Sequence, residues 1–333
     1  MGIRSQGNPV ISYKSVWENT AKGATDPPPP PYPEGTGTWI GNRGIYGGGY
    51  VPAGATNVIA YIDITSTGNA SDFGDLTTGR HAATPASNGT RGVIASGYES
   101  IASIDYITIA STGNATDFGD ITQGRHNAGG CCDGVRGVFA GGATSPSPTA
   151  QSNTIDYITM DTTGDASDFG DLLAGTSGPG GLTNGTWGIF GGGSIGPANA
   201  KLNVIQYITV STAANSVDFG DLTQARVTAQ GSGSNDTRGL WAGGSSPSNV
   251  DTIDYITMTS TGNASDFGDL VEVVENLGAA FNSTRGTFGG GINHPAYKNV
   301  IQYVTIGSTG DATDFGDLTQ SVRSPAGFSG APS

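Results

Sequence analysis

Residues 153–171 read NTIDYITMDTTGDASDFGD, and near-copies of this stretch occur six times along the chain. Its tyrosine falls at Tyr61, Tyr106, Tyr157, Tyr207, Tyr255 and Tyr303, in steps of 45, 51, 50, 48 and 48 residues. Its phenylalanine keeps the same steps, at Phe73, Phe118, Phe169, Phe219, Phe267 and Phe315. The stretch between the two markers therefore has a fixed length, and the variation lies in loops elsewhere in each unit. Rigid elements joined by elastic connections are the pattern of a repeat array.

Working outward, each unit offers four strands. In the second unit these are residues 80–87, 91–97, 101–109 and 117–121, with turns at Asn88-Gly89-Thr90 and around Gly113-Asn114. Alternation in Ile104, Tyr106 and Thr108 marks the third as half-buried. Four short strands per unit form an antiparallel meander, and repeated meanders pack radially. The chain enters at residues 44–49, a second strand without its first, and finishes at residues 323–328, a first strand without its successor. The expected solution is an all-β, six-bladed propeller over residues 38–333 in which the last strand completes the first blade as its innermost strand, removing two sheet edges.

Composition agrees. Fifty-six glycines in 333 residues and 13% charged residues suit many tight turns and few helices. A net charge of -14 argues against nucleic acid or anionic membrane as partners. No apolar run reaches the length of a membrane span, and the N-terminus lacks the apolar segment of a signal peptide. Met1-Gly2 is not followed by Ser or Thr at position 6, so myristoylation is not expected. Cys131 and Cys132 are adjacent, an awkward geometry for a mutual disulfide and too few ligands for a metal.

Residues 1–37 stand outside the repeat. Asp26 opens the run DPPPPPYP, an extended spacer of roughly 25 Å at about 3.1 Å per residue. Pro29-Pro30-Pro31-Tyr32 also fits a WW-domain ligand, though a spacer explains it without a partner. Tyr13 and Trp17, in a segment too short to fold alone, are the expected attachment anchors of this arm.

The repeat order resembles the kelch family of β-propellers. Second strands end in paired glycines, as in Gly141-Gly142, Gly191-Gly192 and Gly289-Gly290; the third carries Tyr and the fourth an aromatic followed by a leucine-like residue. Arg80, Arg125, Arg226 and Arg323 open first strands, with Thr176 and Val274 at two of these positions; Phe stands where kelch units usually have Trp. The beginning Arg4-Ser5-Gln6-Gly7-Asn8-Pro9, followed by closely matched repeats, resembles virion proteins of tailed, particularly marine, bacteriophages. That resemblance implies a tail-fibre, tail-associated or head-decoration protein at the particle surface, joined to other virion proteins through the arm and facing a host receptor or glycan. The alternatives are an intracellular kelch adaptor and a carbohydrate-active propeller enzyme.

Catalytic motifs find structural explanations. Asp-Phe-Gly without a glycine-rich loop, a strand lysine or an HRD segment is not a kinase magnesium loop. Its Phe and the Tyr are expected between sheets, with flanking Asp residues capping turns through Asx bonds. Asp161, Asp165, Asp168 and Asp171 offer oxygens to calcium, but they lack EF-hand spacing and Asn69, Asn114 and Asn263 occupy matching positions. No cofactor is expected, structural calcium being the remaining alternative. His81 and His126 occupy equivalent positions in adjacent units and are not expected to converge. Sequons such as Asn184-Gly185-Thr186 coincide with turns. Arg43, Arg91, Arg136, Arg238 and Arg285, with Trp187 at the remaining position, in the fourth unit, read as repeated scaffold bonding to the Asp-rich turns.

Strand polarity separates two faces. One, the top, carries near-constant turns; the other, the bottom, receives the connections after the paired glycines, which differ in every unit. Recognition belongs on variable loops over a fixed scaffold, so Tyr50, Tyr98, Pro146, Pro148, His294 and Tyr297 are the candidate binding residues.

Overall fold

The computed structural model describes residues 41–144, 150–228 and 230–330. The arm, with Tyr13, Trp17 and the boundary at residue 37, lies outside the described residues, as do Pro146 and Pro148. Six four-stranded antiparallel sheets form a closed ring, a six-bladed β-propeller. Blade 2 runs outward through Thr84–Ser87, Arg91–Ala95, Ser103–Thr108 and Thr116–Asp120. Its innermost strand is shorter than expected, because residues 80–83 form a lead-in that bonds to neighbouring backbone before the ladder begins.

Blade 1 combines both ends of the repeat region. Ala326–Gly330 pairs antiparallel with Arg43–Gly47, Arg43 opposite Gly330 and Gly47 opposite Ala326. Val58–Asp63 and Ser71–Asp75 complete the sheet. The innermost strand begins at Ala326, and Arg323, expected to open it, belongs to the lead-in.

The third strand of each blade meets the fourth across a bulge. In blade 3, Tyr157 opposes Ser167 and Asp156 opposes Asp168, but Ile155 opposes Gly170, leaving Phe169 as the extra residue. A bulge bends the strand and re-aims its side chain. Phe169 is thereby buried, its ring edge-on to Tyr157 at 6.0 Å. The other five Tyr–Phe pairs repeat this T-shaped contact at 5.8 to 6.1 Å. Around them the cores are shared between blades: Val138 and Phe169 of blade 3 cluster with Phe190 and Ile208 of blade 4.

The expected Asx capping by the Asp residues of the fourth strand is replaced by a clasp between blades. The turn after each third strand lies along the outermost strand of the preceding blade. Between blades 2 and 3, Gly164 N donates to Phe118 O and Ala166 N to Asp120 O, while Asp165 Oδ1 accepts from Asp120 N at 3.0 Å. The side-chain bond recurs at all six seams, through Asn69, Asn114, Asp165, Asn215, Asn263 and Asp311. Asn and Asp interchange because the position needs only an acceptor oxygen. The Gly of each Asp-Phe-Gly follows from the same closeness: at Gly119, φ is 143° and a Cβ would lie 2.5 Å from Gly164 O. Asx turns do occur between first and second strands, where Asn88 Oδ1 accepts from Thr90 N and Arg91 N.

The arginines that begin second strands also bind across seams. Arg91 Nη1 donates to Met160 O at 2.7 Å while its guanidinium lies 4.6 Å from the centre of the Tyr106 ring. Arg43, Arg136, Arg238 and Arg285 make the equivalent bond to Ile109 O, Val210 O, Ile306 O and Ile64 O. Their acceptor is thus a carbonyl beyond the neighbour's third strand, not an Asp side chain. In blade 4 Trp187 covers Tyr207 instead, and Asn184 Nδ2 supplies the bond, to Met258 O at 2.8 Å.

Candidate binding face

The bottom face is built on one scaffold position per blade. Counting five residues from the leucine-like residue after each fourth strand gives His81, His126, Ser177, Val227, Glu275 and Arg323. Each bonds to the residue just after the positive-φ pair of its own blade: Arg323 to Tyr50, His81 to Tyr98, His126 to Ala143, Ser177 to Ser194, Val227 to Ser245 and Glu275 to Ile292. That pair is Ser96-Gly97 in blade 2 and, in blades 4 and 6, Gly192-Gly193 and Gly290-Gly291, one residue later than the sequence pairs suggested. Beneath this ring the residue one place earlier sends its carbonyl to the preceding blade's second paired glycine, as Arg80 O does to Gly49 N and Val322 O to Gly291 N. Val322, not Arg323, is therefore the equivalent of Arg80, Arg125 and Arg226.

This shift changes what Arg323 can do. Arg80, Arg125 and Arg226 are fully buried and ion-paired within their own blades, to Asp105 at 3.1 Å, Asp156 at 2.7 Å and Asp254 at 2.9 Å. Arg323 is half-buried on the bottom face, with no hydrogen-bond or ion-pair partner for its side chain among the described residues; its Nε is buried and unpaired. Two aromatic faces hold it, Tyr50 at 4.9 Å and Tyr297 at 5.9 Å.

From that cation an arc of rings crosses blades 6, 1, 2 and 3. Tyr297 stacks on Tyr50 at 6.4 Å, Tyr50 meets His81 edge-on at 4.8 Å, His81 stacks on Tyr98 at 5.0 Å, and Tyr98 meets His126 at 4.9 Å. The histidines expected to stay apart thus converge on one tyrosine, because neighbouring inner lead-ins lie side by side at the bottom of the ring. Burial, with Arg323 and then His126 nearby, lowers the His81 pKa to about 4, so this imidazole is neutral at pH 7. Burial lowers that of His126 as well, and its Nδ1 has no partner.

A cleft of about 520 Å³ opens over the arc, lined by Tyr50, His81, Tyr98, Glu99 and Arg323 among others. Tyr98 is 45% exposed, a large ring held out to solvent by Tyr98–Ser100, a single 3-10 turn in which Glu99 has φ 68°. Tyr50, Tyr98 and Tyr297 are brought together, whereas His294 is not part of the arc. It sits in blade 6 with Nε2 3.1 Å from Glu275 Oε1, beside a separate cleft lined by Ser245, Asn249 and Asn293. Sequence reasoning missed Arg323, His81 and His126 as members; counting from Leu318, instead of matching arginine to arginine, would have set Arg323 beside the two histidines.

Among the described residues, no three His, Cys, Asp or Glu side chains gather closely enough to hold a metal ion. The cysteines are free and buried, with both thiol pKa values raised by burial. No model of a known protein family matches the chain, and no curated protein matches it either.

Proposed function

We propose that the protein is a non-enzymatic, kelch-like propeller that serves as a surface appendage of a bacteriophage particle, attached through residues 1–37 and recognising its target with the bottom face. The observation that carries the recognition part is the arc from Tyr297 to His126 with the unpaired Arg323, on the face whose loops differ from blade to blade. Exposed aromatics beside an arginine are the side chains that dominate binding energy at protein surfaces. The kelch-like part is supported by the paired glycines: Gly141 and Gly142 have φ 69° and 100°, and Gly142 N bonds to the next blade's lead-in at Thr176 O. The virion part is supported by the arm's resemblance to phage structural proteins. A component of such a particle leaves the host cell with it, by lysis.

Two variants test the two halves separately. Deleting residues 1–26 should leave a folded propeller that no longer incorporates into particles, scored by protein content of purified virions; full incorporation would refute arm attachment. Replacing residues 292–298 and 143–152 with short Gly-Ser turns should preserve folding and incorporation while reducing adsorption to host cells. Unchanged adsorption by that variant, or a particle reconstruction with these loops buried against the virion, would refute the orientation.

A further inference from the structure

We infer that the cleft over Tyr50 and Tyr98 is a saccharide site selective for a sugar bearing a carboxylate, with Arg323 as the carboxylate's partner. The inference rests on the bottom face being the recognition face and names the chemical class of its ligand.

Three features of the cleft converge on that class. Its walls are flat rings, Tyr50, His81 and Tyr98, spaced 4.8 and 5.0 Å apart. Such surfaces take up the C–H face of a pyranose while leaving its hydroxyls to water or polar groups. Its cation is unsatisfied. In an acidic chain, a half-buried arginine packed against two tyrosine rings, with a buried and unpaired Nε, has given up part of its hydration without gaining an anion among the described residues. A planar guanidinium matches a carboxylate with two parallel N–H···O bonds, which are stronger than neutral ones. Its remaining polar groups suit hydroxyls. Glu99 can only accept when ionised, and the neutral His81 imidazole both donates and accepts.

The same features disfavour an extended acidic peptide. Glu99 lines the cleft with Arg323 and His81, and a net charge of -14 repels a run of carboxylates. A single carboxylate carried on a mostly neutral ring meets Arg323, the cation that lines the cleft without an ion-pair partner among the described residues, and does not line up against the rest.

The test uses the full-length protein and two defined probes, the neutral trisaccharide maltotriose and the same trisaccharide with its non-reducing-end glucose oxidised to glucuronic acid, which carries a single carboxylate, with isothermal titration and saturation-transfer NMR. The uronate should bind at least tenfold more tightly than maltotriose, with strongest saturation on the ring protons. R323Q should reduce uronate affinity at least tenfold and leave maltotriose binding unchanged. Y98A, on a ring already exposed at the surface, should weaken both probes; thermal melts confirm that each variant is folded. Equal affinity for the two trisaccharides, undiminished uronate binding by R323Q, absence of binding to either probe, or tighter binding of a tri-glutamate peptide would each overturn the proposal. If uronate binding fails while the loop-swapped protein still loses adsorption, the ligand class is wrong and the recognition face stands. If uronate binds as expected but loop replacement leaves adsorption intact, the site is real and the recognition reading falls.

Discussion

Blades 2, 3 and 5 solve one buried position differently from blades 4, 6 and 1. In the first group a buried Arg opens the lead-in, a buried Asp precedes the third-strand Tyr, and a Thr from the connecting segment bonds to that Asp: Thr77, Arg80 and Asp105; Thr122, Arg125 and Asp156; Thr223, Arg226 and Asp254. In blades 4 and 6 the set becomes Leu173, Thr176 and Gln206, and Val271, Val274 and Gln302, with each Gln Oε1 accepting from the backbone N of Leu173 or Val271. Blade 1 has Thr319, Val322 and Ala60. Arg never occurs here without Asp, so the charges enter and leave together. Removing the hydroxyl leaves Leu173 and Val271 55% and 58% exposed, among the few large apolar side chains on the surface. One geometry thus accepts an ion pair, an amide or plain apolar packing. The ion pair is not required by the fold; it is required only once one of its charges is present.

Breaking a pair from one side should have the largest effect. D156A leaves Arg125 buried with its charge uncompensated, and about 3 to 5 kcal/mol of stability should be lost in urea denaturation. Loss below about 1 kcal/mol would mean that Arg125 escapes to solvent. Transplanting the whole blade 6 set, T122V with R125V and D156Q, should restore stability to within about 1 to 2 kcal/mol of the parent. All three arginine Nε atoms are buried without partners, so the pair does not recover its full desolvation cost. A triple variant as damaged as D156A would break the equivalence. In the amide group, Q302A removes the acceptor for Val271 N and should cost about 1 to 2 kcal/mol, less than any single-sided ion-pair break.

Near neutral pH the smallest effect belongs to the residue following the paired Arg, and it grows as the pH falls. The His81 pKa is lowered from an ordinary 6.5 to about 4 on folding, so the unfolded chain binds its proton first as pH falls. His81 should therefore lower stability progressively between pH 6.5 and pH 4, with no further loss below that. H81F should flatten this part of the profile measured by denaturant titration; an unchanged slope would show that His81 does not titrate in this window.

Six blades, their strand order and closure by the last strand were legible because the Tyr-to-Phe spacing is rigid and the two ends supply complementary halves of one meander. The clasp was not, since its bonds join the turn at Asp165 to Asp120 in a different unit, and a repeat read unit by unit shows only that both positions recur. Tyr50, Tyr98 and Tyr297 could be selected as loop aromatics, but their meeting depends on the lateral closeness of lead-ins at the ring's bottom. The alternation of Asp105, Asp156 and Asp254 with Gln206 and Gln302 was visible in the letters; its meaning needed the partner positions at Arg80, Arg125 and Arg226.

The register of Arg43 against Gly330 has a mechanical consequence. The two strands are antiparallel neighbours whose outer ends lie together, so tension applied between those ends opens their hydrogen bonds one after another, as a zip is opened, instead of loading them all in shear. Pulled between residues 41 and 330, the ring should yield at low force by peeling away 326–330 before any other blade responds. Held at one end only and loaded through a distant loop, the same ladder shares the force among its bonds, and the ring should bear far more.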